Sequence, residues 1–176
     1  MITQLSSLIP TPLHPAVVHL PMALAVLVPF FAIVGLVAVQ RGARPLRTWG
    51  AAAAMFAMLA LSSWASVETG EDQEDTVESI VPDAALKTHE DAADQFLWFA
   101  VAAFGVATVG VLNGRIGTAA RVLATVGSLG LLVAGYRVGH SGGDLVYKYG
   151  AANGYTDSTR VGVATAVRVD RDGGRY

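Results

Sequence analysis

Apolar residues fall in four long blocks along this chain, near 16–39, 48–67, 93–112 and 117–138, each bounded by a polar or charged link. A bilayer core takes roughly 17–25 mainly apolar residues per helix, so each block predicts a membrane-spanning helix. The first block has no Lys or Arg ahead of it and no small-residue cleavage site after it, which predicts a retained span rather than a removable leader. Four spans joined by short links predict an all-α fold, an antiparallel four-helix transmembrane bundle over 1–154. A short, irregular, polar C-terminal tail over 155–176 follows, in which VGVATAVRV at 161–169 alternates weakly, as an edge strand or a structureless segment would.

The links differ sharply in charge. Arg41, Arg44, Arg47, Arg115 and Arg121 lie on one side with no acid among them, whereas the stretch from Glu68 to Asp91 holds nine carboxylates against the single Lys87. Lys and Arg in short loops stay in the cytoplasm, so the predicted location is a bacterial inner membrane with both termini outside. Small residues crowd the spans, Ala51 to Ala54, Gly105, Gly110, Gly127, Gly130 and Gly135 among them. They permit the close backbone approach on which helix packing in lipid depends. Trp49, Trp64 and Trp98 fall near span ends, as an interfacial aromatic belt requires.

Composition narrows the chemistry. The 176 residues are 53% hydrophobic and 15% charged, and cysteine is absent, which excludes disulfides, iron–sulfur clusters and covalent c-type haem attachment. A net charge of -2 and the lack of a basic–aromatic patch argue against a nucleic-acid partner. What remains is the bilayer itself, with a redox protein, a quinone or a larger membrane complex as partner.

The four histidines stand out. In an up-down-up-down bundle the start of span one (His14, His19), the approach to span three (His89) and the exit of span four (His140) meet at one membrane face, with Glu68 and Glu90. His14 precedes Pro15, so it belongs at the helix cap, while His19 lies more than a turn deeper and about 140° around the axis. Pro21 frees the carbonyl of Val17 and shapes the helix there. In GHSGGDLVYKYG, Gly139, Gly142 and Gly143 bracket His140 and allow a sharp turn or the close approach of a bulky group.

Imidazole nitrogens with an apolar slot suit non-covalent haem b, with His19 paired to His89 or His140, His14 as a wetter accessory ligand, and Arg137 and Lys87 for the propionates. The alternatives are a zinc, copper or iron ion on His14, His19, His89 and His140 with Glu68 or Glu90, and a structural or assembly subunit in which the histidines only fix interfaces. An electron-transfer or accessory subunit is expected rather than a stand-alone enzyme.

LHPAVVHLP, KTHED and GHSGGDLVYKYG, with Thr69–Gly70 after span two, together resemble a bacterial family of four-span membrane proteins, domain of unknown function 2231, over roughly residues 12–154. Leu20 stands where that pattern has an aromatic residue. The resemblance implies a redox-associated membrane protein and no particular reaction.

Overall fold

The computed structural model describes residues 12–155, all of whose regular structure is helical. The tail from 156 onward, with its weakly alternating segment, lies outside these residues. The elements in chain order are α1 (His14–Val17), α2 (His19–Gln40), α3 (Pro45–Glu71), α4 (Glu74–Val77), α5 (Asp83–Val109) and α6 (Gly114–Tyr147). Four helices are long and apolar enough to cross a membrane, with α1 and α2 acting as one. The chain is a multi-pass membrane protein.

Local chemistry explains the boundaries. Val18 forms a turn between α1 and α2, where Pro21 has no N–H to offer the Val17 carbonyl. Gly42, at φ 95°, ends the first span in the left-handed region that glycine adopts without strain, and Pro45 opens α3. Pro29 lies buried within α2.

The long helices pack in a ring, α2 against α3, α3 against α5, α5 against α6 and α6 back against α2. Spans one and three therefore face each other across one diagonal, and α3 and α6 across the other. The inward faces carry Leu24, Val28, Phe56, Leu59, Phe96 and Leu131 among many alanines. The polar residues on those faces turn back on their own helices: Ser62 and Ser63 donate to Leu59 O, Thr125 to Arg121 O and Ser128 to Thr125 O.

Two residues differ from their sequence-based reading. Trp49 does not join an outer belt: it is fully buried, its indole donates to Ala107 O at 2.8 Å, and Gly110 leaves no room for a β-carbon beneath it. Trp64 and Trp98 are the exposed ones. Arg121 is buried as well, donating to Gly110 O, Leu112 O and Thr118 Oγ1, so it caps the C-terminal end of α5 in addition to marking one side of the membrane.

Candidate functional site

The last helix is longer than its apolar block. Its 34 residues rise about 50 Å, well beyond a hydrocarbon core of roughly 30 Å, so its final turns project past the apolar zone. The expected turn at Gly139–Gly143 is thus continuous helix. Alpha-helical phase, not a bend, decides what those residues meet. Gly142 lies under the His89 ring, where a β-carbon would come within 3.0 Å of Cε1, and Gly139 faces the Met22 methyl. Gly143 has open space beside it.

His89 likewise belongs to the interior of α5 rather than its approach. Its Nδ1 lies 3.0 Å from Ser141 Oγ, and Ser141 donates in turn to Val138 O. His14, on α1, makes the corresponding contact with α3. Its Nδ1 donates to Ser66 O at 2.9 Å, with Thr69 Oγ1 at 3.3 Å, and its ring rests over Gly70, where a β-carbon would come within 3.2 Å. The two half-buried imidazoles meet edge to face, with ring centroids 6.4 Å apart and planes at 81°. The hydrogen bonds found for both rings run through Nδ1, the Val138 backbone also acting on His89, and no carboxylate lies within ion-pair distance of either ring among the described residues. Beside His14, the buried Ser66 hydroxyl is itself without a partner.

A roof covers this end. Val81, Leu145 and Ala151 form a small apolar cluster with Val77, Ala85, Leu86 and Tyr149. The Gln73 amide sits between the Tyr155 hydroxyl, at 3.2 Å, and the backbone N–H groups of Leu13 and His14, at 3.0 and 3.3 Å. With its oxygen turned to those two donors it caps the first turn of α1, satisfying groups that a helix start leaves unpaired. Burial pushes the Tyr155 phenol above its usual range, which keeps it a neutral partner.

The other expected ligands lie elsewhere. His19 and His140 are exposed on the outside of the bundle, His140 stacked on Tyr136 at 5.9 Å. Glu68 is exposed and accepts from the Trp64 indole at 3.0 Å, and Glu90 is half-buried on the α5 flank without contact to the imidazoles. Arg137 is exposed, and Lys87 reaches outward to Asp91 at 3.7 Å. Among the described residues no three His, Asp or Glu side chains are grouped to hold a metal ion. The structure therefore joins His14 to His89 and separates both from His19 and His140. Ser66, Thr69, Gln73 and Ser141 are the residues the sequence reading passed over. Thr69 and Ser141, each inside a recognised motif, carried a signal.

Two imidazoles from different helices are a donor set that could hold one metal-centred group. Two metal–imidazole bonds of about 2 Å, with the ring radii added, separate ligand centroids by about 6 Å when the nitrogens are opposite each other and by about 5 Å at a tetrahedral angle. The observed centroid separation of 6.4 Å is of that order. On the other diagonal Gly70 and Gly142 seat the two imidazoles themselves, and Gly139 seats the Met22 methyl. No protein-family profile, curated protein or solved structure matches the chain.

Proposed function

We propose that this protein is a membrane-embedded, b-type electron-transfer subunit that holds one haem between His14 and His89. The observation that carries the reading is the imidazole pair, 6.4 Å between centroids, with both Nδ1 atoms engaged by groups on neighbouring helices. Ligating histidines characteristically use one ring nitrogen in this way, leaving the other for the metal. Bound haem would supply one-electron exchange. The chain's own part is to hold the rings rigid from two helices, each seated on a glycine of its neighbour, and to cover them with the roof of 73–86 and 145–155.

The same motifs that resemble domain of unknown function 2231 build the site. LHPAVVHLP gives His14, Thr69–Gly70 its seat, KTHED gives His89, and GHSGG the Ser141–Gly142 pair beneath it. Membership of that family, a bacterial inner-membrane location with the histidine end outside, and exchange of electrons with a redox protein, a quinone or a larger complex belong to this reading.

Protein produced with ample haem and purified in detergent should show a reduced-minus-oxidised Soret and α band at about one haem per chain. His14→Ala and His89→Ala should each lose the haem, while His19→Ala and His140→Ala keep it. A haem-free wild type, or retention of haem by all four variants, would leave the histidines as structural groups of an assembly subunit.

A further inference from the structure

Resting on His14 and His89 as the ligand pair, the surroundings of His89 point to a role for the residue that touches it. A serine hydroxyl has one proton to donate. Ser141 Oγ lies 3.0 Å from the Val138 carbonyl one turn earlier and 3.0 Å from His89 Nδ1. The carbonyl can only accept, so in this rotamer the hydroxyl proton points to it and away from the ring. What remains for His89 is to donate its own Nδ1–H to Oγ.

We propose that Ser141 is a positioning residue that fixes His89 as the Nδ1–H tautomer and so presents its Nε2 lone pair to the cofactor. His14 reaches the same state by a different route, because its Nδ1 meets the Ser66 carbonyl, a group that cannot donate. The hydroxyl under His89 is a rotor. Turned away from Val138 O, it would hand its proton to Nδ1 and move the ring proton to Nε2, where no metal can bind. Gly142 keeps the ring close enough to α6 for this contact, and the Val138 carbonyl, which His89 also reaches, can likewise only accept from the ring. An acceptor at the outer nitrogen makes the ligand more basic, which strengthens ligation and favours the oxidised metal.

The test uses the full-length protein labelled with 15N-histidine in detergent, where ring-nitrogen shifts report the tautomer. In protein produced without added haem, His89 should be Nδ1–H in wild type and in Ser141→Thr, and Ser141→Ala should gain Nε2–H. In haem-loaded protein Ser141→Ala should bind about 10–100-fold more weakly and show a higher midpoint potential, both restored in Ser141→Thr. An Nε2–H His89 in wild type, or an alanine variant unchanged in tautomer, overturns the role of Ser141. A wild type that never takes up haem defeats the ligand reading instead, and the tautomer result then decides for Ser141 alone.

Discussion

Gly142 and Gly143 are adjacent on one helix, yet they have opposite surroundings. A methyl group at Gly142 meets the His89 ring at 3.0 Å, whereas at Gly143 it meets nothing within 4 Å. Alanine in place of a helical glycine ordinarily stabilises by about 0.5–1 kcal/mol. Gly143→Ala is therefore expected to raise the thermal unfolding midpoint in detergent. Gly142→Ala should lower it, because forcing a ring from a packed seat costs about 1–3 kcal/mol. The same variant should lose haem, and Gly70→Ala, 3.2 Å from His14, should follow it in both measurements. The sequence shows three glycines around a histidine; only the phase of α6 tells which of them supports a ring, and not the ring of the histidine they surround.

That phase was legible at the level of elements. His14, Pro21, Val28 and Gly35 recur every seven residues, and the last three of them are buried. His89, Phe96, Ala100 and Ala107 follow the same face of α5. His19 and His140 fall between the buried stripes of their helices. Four spans, their order and the gathering of histidines at one end follow from hydropathy and up-down topology. The choice of ligand does not follow from depth, since His19 lies further into the apolar block than His14 but on the lipid side. Trp49 and Arg121 escaped for a related reason: a polar atom near a span end reads as interfacial until a neighbouring helix supplies its acceptor. Arg121 joins the end of α5 to the start of α6 through three acceptors. Arg121→Ala should lower stability by about 3 kcal/mol, as loss of charged hydrogen bonds does. Arg121→Lys should recover little of it, lacking the planar fork. Unfolding in detergent with increasing denaturant measures both.

For the whole molecule the charge asymmetry makes the decisive prediction. Single cysteines at the exposed positions Gln40 and Asn113 sit on the Arg-rich side, and those at Glu78 and Ala152 on the histidine side. In intact cells an impermeant thiol reagent should label 78 and 152 alone. Labelling at 40 and 113 instead would turn the molecule over and place the imidazole pair at the cytoplasmic face.

The imidazole pair is also divided evenly between the two helical hairpins. His14 is seated on α3 within the first, over Gly70, and His89 on α6 within the second, over Gly142. Each hairpin is thus complete in its own seat and incomplete as a site, and the ligand pair comes into being only where the hairpins meet.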